Sequence, residues 1–167
     1  MALIDISTPS YPNTFVHVDD ADLEWLSRWK WCAGSFAGKV YATRTEKCAN
    51  GGKASVLMHR QILGMVAHDG RVCDHKDGDR LNNRRGNLRE CTHSQNHANK
   101  KKTARPRDQS QFKGVSFHRH SGLWHGRIQI NKKQISLGYF KNEVETARAY
   151  DAAARQHFGE FARLNFP

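Results

Sequence analysis

The sequence predicts an α+β protein in two parts, and three stretches carry that prediction. Residues 72–99 read as strand, polar loop, strand and helix. Residues 112–167 read as three short antiparallel strands followed by one helix, packed against the sheet they form. Between them ANKKKTARPRDQSQ, residues 98–111, has almost no apolar content and holds a proline, so it cannot bury enough surface to fold alone. The expected organisation is one domain over 1–99 with its core at about 70–100, a basic linker over 100–111, and a sheet-and-helix domain over 112–167. A chain of 167 residues suits one medium domain or two small ones.

In the first part, DDADLEWLSRWKW is expected to form a short helix or helix-turn. Leu23, Leu26 and Trp29 or Lys30 fall near helical spacing, and Asp22 lies in the first turn, where an acid complements the helix dipole. Trp25, Trp29 and Trp31 read as core. Tyr41–Arg44 and Ser55–His59 read as the strands of a hairpin around Asn50-Gly51-Gly52.

In the second part, Val115–His118, Trp124–Asn131 and Ile135–Leu137 alternate apolar or small residues with polar ones, and turns are expected at His120-Ser121-Gly122 and Asn131-Lys132-Lys133. Asn142 with Glu145 reads as the opening of a helix that runs to about His157, and Gly159 as its left-handed C-cap. Val144, Ala147, Tyr150 and Ala154 share one face of that helix, whose small residues let it sit close to the sheet. The other face of the sheet then presents Ser116, His118, His125, Arg127, Gln129, Asn131, Gln134 and Ser136, all hydrogen-bonding groups. Arg and Gln can pair bidentately with guanine and adenine edges.

Charge points to a polyanionic partner. Lys and Arg number 27 against 16 acids, a net +11. They are focused: Lys100, Lys101, Lys102, Arg105, Arg107, Lys113, Arg119, Arg127, Lys132 and Lys133 face the single acid Asp108 between Asn99 and Lys133. Such a balance favours nucleic acid through Coulomb steering and counterion release, and the basic linker reads equally as a solvated connection or as a strap along phosphates. No run is long and apolar enough for a membrane span, and MALIDISTPSYPNTF lacks the features of a secretory signal, so an intracellular place in cytoplasm or nucleoid is expected. Cys32, Cys48, Cys73 and Cys91 form no C-x-x-C pair and read as reduced thiols, with a structural zinc shared with His59 or His93 as the lesser alternative.

The stretch DHKDGDRLNNRRGNL, Asp74–Leu88, carries more polar side chains than a fold requires. Cutting a phosphodiester needs a base to activate water, a metal to hold the phosphate and neutralise the leaving oxygen, and a group to orient the base. Asp74-His75 at the end of a strand supplies a hard oxygen ligand and an imidazole; Asn87 precedes the second strand, and the capping box Thr92-His93-Ser94-Gln95 starts a helix carrying Asn96. Asn82 and Asn83 read as amides that pin the loop backbone, and His59 as a packed histidine steadying the site. Arg84, Arg85 and Arg89 read equally as phosphate contacts or as solvated charges.

Two resemblances extend this reading. KGVSFHRHSGLWHGRI, LGYF, ETARAYDAAA and FARLNFP resemble the Apetala-type domain of plant ethylene-response factors over nearly all of residues 112–167. The resemblance implies a sheet laid in the major groove of double-stranded DNA, although Ser116, His118, Gln129 and Ser136 stand where the plant domains favour Arg or Trp. MHRQIL with DHKDGDRLNNRRGNLRECTHSQNHANK resembles the HNH, or His-Me finger, endonucleases over about residues 56–100, especially homing enzymes of phages and mobile introns. That resemblance implies a ββα-metal site with His75 as general base, Asn87 orienting it, and Asp74 and Asn96 holding one Mg²⁺ or Mn²⁺, with His93 and His97 as rival ligands. The expected protein is a metal-dependent, site-selective DNA endonuclease of homing type, nicking as a monomer or acting as a homodimer, without a small-molecule cofactor. Its DNA contacts are Lys100, Lys101, Lys102, Arg105, Ser116, His118, His125, Arg127, Gln129, Gln134 and Ser136, with His59 and Asn83 in support. The competing reading is a DNA-binding regulator with an inactive nuclease domain.

Overall fold

The computed structural model describes residues 1–48, 51–66, 69–103 and 109–167. They divide into two compact units, Met1–Cys91 and Thr92–Pro167. The division falls between Cys91 and Thr92, and Arg105 and Arg107 of the expected basic linker fall outside the described residues.

The first unit contains β1 (Ala2–Asp5), β2 (Phe15–Val18), α1 (Asp20–Leu26), β3 (Cys32–Phe36), β4 (Lys39–Lys47), β5 (Lys53–Leu57), α2 (Met58–Ile62), β6 (Val72–His75), a 3-10 turn at Arg85–Asn87 and β7 (Leu88–Cys91). Three small antiparallel sheets result: β1 with β2, β3-β4-β5, and β6 with β7. They meet on a core of Ile6, Val16, Val18, Leu26 and Met58, none of them exposed, with Trp31 at 3%. The β4–β5 hairpin follows the sequence expectation, pairing Thr43 with Leu57. Met58 and His59 do not continue β5, however: they open α2 and are buried on it. Helix α1 ends at Leu26, so Trp29 lies beyond it, 37% exposed, with the Arg44 guanidinium 4.8 Å over its ring.

Asp22 does more than meet the dipole of α1. Only 3% exposed, its carboxylate accepts from Trp25 Nε1 at 2.8 Å and from Arg85 Nε and Nη2 at 2.9 and 2.8 Å, which ties α1 to the turn that ends the polar loop. Burial opposes ionisation of Asp22, but these hydrogen bonds and the Arg85 charge outweigh it and hold the carboxyl below its ordinary value.

The second unit contains α3 (His93–Asn99), β8 (Val115–His118), β9 (Leu123–Ile130), β10 (Lys133–Phe140), α4 (Glu143–Phe158) and a closing 3-10 turn at Gly159–Phe161. The sheet is antiparallel in the order β10-β9-β8. Asn131 and Lys132 form the β9–β10 turn with φ of +49° and +67°, so Asn131 leaves the open face on which alternation had placed it, and Lys133 opens β10. Ala147, Tyr150 and Ala154 of α4 cover the opposite face with Ile128, while Val144 is 39% exposed and Thr146 and Asp151 are buried in its stead. The packing is tight enough to demand glycine at Gly114, φ +76°, where a Cβ would sit 2.0 Å from the Tyr150 ring.

Asn142 caps α4 as expected, accepting from the Val144 and Glu145 amides at 2.7 and 3.3 Å. Gly159 ends it at φ +51°, ψ −127°, a positive φ outside the left-handed helical well. Lys113 and Asn165 close the unit. Asn165 Oδ1 accepts from the Lys113 amide at 2.7 Å, and Asp151 accepts from the Asn165 and Phe166 amides at 2.8 and 2.9 Å. The Thr92–Gln95 capping box is formed in both directions at the start of α3. At its other end Lys113 Nζ donates to the Ala98 carbonyl and, at 2.8 Å, to that of Lys100. Burial and the nearby Arg163 charge lower that ammonium to about 8. These bonds cap the last carbonyls of α3 and bind it into the sheet-and-helix unit.

Candidate functional site

The pairing of β6 with β7 sets the first candidate site. The register places Asp74 opposite Arg89 and His75 opposite Leu88, and residues opposite one another share a face of the hairpin. Asp74 and Arg89 therefore meet: Arg89 Nε and Nη2 donate to Asp74 Oδ2 at 3.0 and 2.9 Å, with the two side chains 6% and 10% exposed. Arg89 is engaged by the carboxylate rather than presented to solvent.

The loop between the strands is woven by its own polar groups. Asn87 accepts from the Asp77 amide at 3.1 Å and donates from Nδ2 to Asp77 Oδ1 at 3.0 Å and to the Asn82 carbonyl at 2.8 Å. Asn82 Nδ2 donates to Asp77 Oδ2 at 2.7 Å. The loop also leans on β2, through His17 N to Leu81 O at 2.7 Å and Asn83 N to His17 O at 2.8 Å. That anchorage seats Asn83, which is wholly buried, directly against His75: Nε2 and Asn83 Oδ1 lie 2.9 Å apart. A carbonyl oxygen only accepts, so Nε2 carries the proton and the basic lone pair falls on Nδ1.

Around His75, 6% exposed, stands an aromatic row. His59 lies edge-on with ring centroids 5.0 Å apart, Tyr41 lies 5.5 Å beyond His59, and Arg80 Nε donates to the Tyr41 hydroxyl at 3.1 Å. Burial lowers the His75 imidazole from its ordinary value, against the raising effects of Asn83, Asp77 and Asp74. Burial, helped by the charges of His75 and Arg60, takes His59 down to about 3, so His59 is neutral. The residue that sequence reading gave as orienting the base, Asn87, braces the loop, while the loop amide Asn83 makes the direct contact. The signal for it was the Asn82-Asn83 doublet, but its reach to His75 depends on the loop's seat on β2.

Whether these residues suit a divalent ion rests on their donor chemistry. Among the described residues no group of three or more His, Cys, Asp or Glu is placed to hold a metal. A closed zinc cage is therefore not built from the described residues, and burial followed by the Cys91 and Asp74 charges pushes the Cys73 thiol up to about 12. The Asp74 carboxylate is a hard donor of the type that holds an ion retaining most of its water. Asn96 sits half-buried on α3 in the second unit, with His93 and His97 exposed on the same helix.

The second candidate site is the open face of the β10-β9-β8 sheet. The register pairs Ser116 with His125, Arg127 with Ser136 and Gln129 with Gln134, so these six share one face with His118, as alternation predicts. Arg127, Gln129, Gln134, Ser136 and His118 are exposed. A cleft of about 470 Å³ in this unit has Lys100, Lys101, Lys102, Ser116, Arg127 and Gln129 among its lining residues. Lys102 Nζ donates to the Ser110 carbonyl at 2.6 Å. Arg105 lies outside the described residues. Sequence reading missed Tyr139, because a bulge between Ser136 and Gly138 reverses the alternation and sets Tyr139 opposite His125 on the open face.

Residues 53–98 match the HNH endonuclease family. The HNH segment runs from β5 through α2, β6, the polar loop and β7 into α3, and so contains His59, Asp74, His75, Asn83, Asn87 and Asn96. The chain is also similar to an APETALA2-like protein of Oryza sativa subsp. indica, 47% identical over 62 residues, which are 36% of this chain and 14% of that protein. An AP2-like ethylene-responsive transcription factor of Arabidopsis thaliana is 43% identical over 68 residues, 40% of this chain and 14% of its own length. Protein PPLZ02 of Lupinus polyphyllus is 43% identical over 63 residues, 36% of this chain and 38% of its own. The chain thus spans about a seventh of the length of the first two relatives. An HNH match and an AP2-type likeness stand in one chain, and no helix among the described residues is long and apolar enough to cross a membrane.

Proposed function

We propose that the protein is a metal-dependent, site-selective DNA endonuclease of homing type, in which the HNH segment cuts and the AP2-type sheet reads double-stranded DNA. The observation that carries this reading is the buried His75, its Nε2 held by Asn83 and its neighbour Asp74 fixed by Arg89, within the segment that matches the HNH endonucleases.

In this mechanism His75 Nδ1 takes the proton of a water molecule as that water attacks the scissile phosphorus, and the bond to the leaving sugar oxygen breaks. Asn83 keeps the imidazole in the tautomer whose lone pair can receive that proton, and the neutral, buried His59 packs against the ring and limits its rotation. Asp74 would hold one Mg²⁺ or Mn²⁺, which when bound neutralises charge on the phosphate and the leaving oxygen. Asn87 and Asp77 keep the loop closed beneath the base. Lys100, Lys101 and Lys102 grip phosphates without regard to sequence, while Arg127, Gln129, Gln134, Ser116, His118, His125 and Ser136 face base edges. One such site in a monomer nicks one strand; a double-strand break takes a homodimer or two events. An intracellular place of action follows from the substrate.

Relatives described as transcription factors favour a second reading, a DNA-binding regulator whose HNH segment is silent. Incubation of the full chain with mixed plasmid and genomic DNA and Mg²⁺, followed by mapping of broken ends, separates the two. Ends recurring at a restricted set of sequences are expected. DNA bound at preferred sites but left intact would favour the regulator.

A further inference from the structure

Tyr139 is a large, half-exposed aromatic ring on a face otherwise made of hydrogen-bonding groups. Gly138, at φ +114°, forms the bulge that puts it there, and Tyr139 is 50% exposed. Its setting is ordered. The ring lies parallel to that of His125, with centroids 4.4 Å apart and planes at 8°, and receives His118 edge-on at 5.4 Å. Each histidine is itself held by a serine: His125 Nε2 lies 2.9 Å from Ser136 Oγ, and His118 Nδ1 lies 2.9 Å from Ser121 Oγ. A ring fixed in this way loses little freedom when it meets a partner, which is the condition for a strong contact.

The partner's chemistry is constrained from two sides. Residues 114–142 hold Arg119, Arg127, Lys132, Lys133 and Lys141 and no acid, so the surface around Tyr139 suits a polyanion. On the polyanion proposed above, the base edges exposed in the major groove are nearly all donors and acceptors, and the apolar exception is the C5 methyl of thymine. Resting on the reading of this sheet as the DNA reader, we propose that Tyr139, braced by His125 and His118, is a thymine-methyl contact and fixes a thymine at one position of the target, beside the positions faced by Arg127 and Gln129.

The test uses the full chain and the preferred double-stranded site selected from a random DNA library. Each thymine is replaced in turn by deoxyuridine, which removes one methyl and leaves base pairing intact. Binding is expected to weaken about fourfold at one thymine and to change little at the others, as for loss of one buried methyl-sized group. Tyr139→Ala is expected to bind the thymine and deoxyuridine sites equally, and Tyr139→Phe, which retains the ring, to discriminate as the native chain does. Full discrimination by Tyr139→Ala, or none at any thymine by the native chain, would overturn the inference while leaving the sheet as reader. Selection of no preferred site would overturn both.

Discussion

His75 Nε2 lies 2.9 Å from the Oδ1 of Asn83, a residue with no exposed surface whose own Nδ2 has no partner among the described residues. An orphaned buried N–H is costly, on the order of 1–3 kcal/mol, and its retention fits an amide kept for what its oxygen does to His75. Asn83→Ala is accordingly expected to lower the single-turnover cleavage rate by about tenfold or more, with DNA affinity nearly unchanged, since it disturbs the base rather than the grip on substrate. Asn87→Ala, which loosens the loop, is expected to shift the unfolding midpoint as well. Native cleavage by folded Asn83→Ala would remove Asn83 from the mechanism.

Arg89 and Asp74 form a buried cross-strand pair, and removal of one partner takes that ion pair from a buried charge. Arg89→Ala is expected to destabilise the first unit by about 3–5 kcal/mol, read from urea unfolding. Asp74→Ala carries the same burden, so its loss of cleavage has to be measured on protein shown to be folded. An unchanged midpoint for Arg89→Ala would show that the pair contributes nothing.

The pair Asp22–Arg85 gives a pH dependence of stability. Its folded carboxyl sits below the ordinary 3.8, so the stabilisation is present above that value and is lost as pH falls through the folded one. Asp22→Asn is expected to cost about 1–2 kcal/mol at pH 7, a figure discounted for the exposed Arg85 side chain, and the difference from the native chain is expected to shrink progressively below pH 4. A difference that stays constant down to pH 2 would contradict the assignment.

What was legible in the sequence was local chemistry. The period of two over 115–137, the Asn142 cap and the Thr92-Gln95 capping box each depend on neighbours a few residues away, and each formed. Strands β1, β2 and β3 were not anticipated, because short strands carry too few residues to show a period. Met58 and His59 extended an apolar run that a strand and a helix share equally, and burial on α2 decided it. The contact of Asn83 with His75 and the engagement of Arg85 and Arg89 by Asp22 and Asp74 depend on residues brought from afar. Tyr139 was hidden by a single bulge, and the docking of α3 by Lys113 was hidden because Lys113 read only as one more charge of the basic patch.

The strap and the sheet are expected to fail differently. Replacing Lys100, Lys101 and Lys102 with Ala is expected to weaken binding to all DNA alike and to flatten the salt dependence by up to about 0.9 log unit for each phosphate that is no longer neutralised. Replacing Arg127 or Gln129 with Ala is expected to cost about 1–3 kcal/mol on the preferred site and little elsewhere. Fluorescence anisotropy on preferred and scrambled duplexes over a salt series distinguishes the two; equal weakening on both duplexes for Arg127→Ala would take base reading away from that residue.

The central claim, that the HNH segment cuts DNA with His75 as base, is tested most directly by measuring cleavage and binding by His75→Ala in the same samples with Mg²⁺. Strand cleavage is expected to fall by about 10²–10⁴-fold, while affinity for the preferred duplex stays within about threefold of the native chain. Cleavage at the native rate by His75→Ala would contradict it.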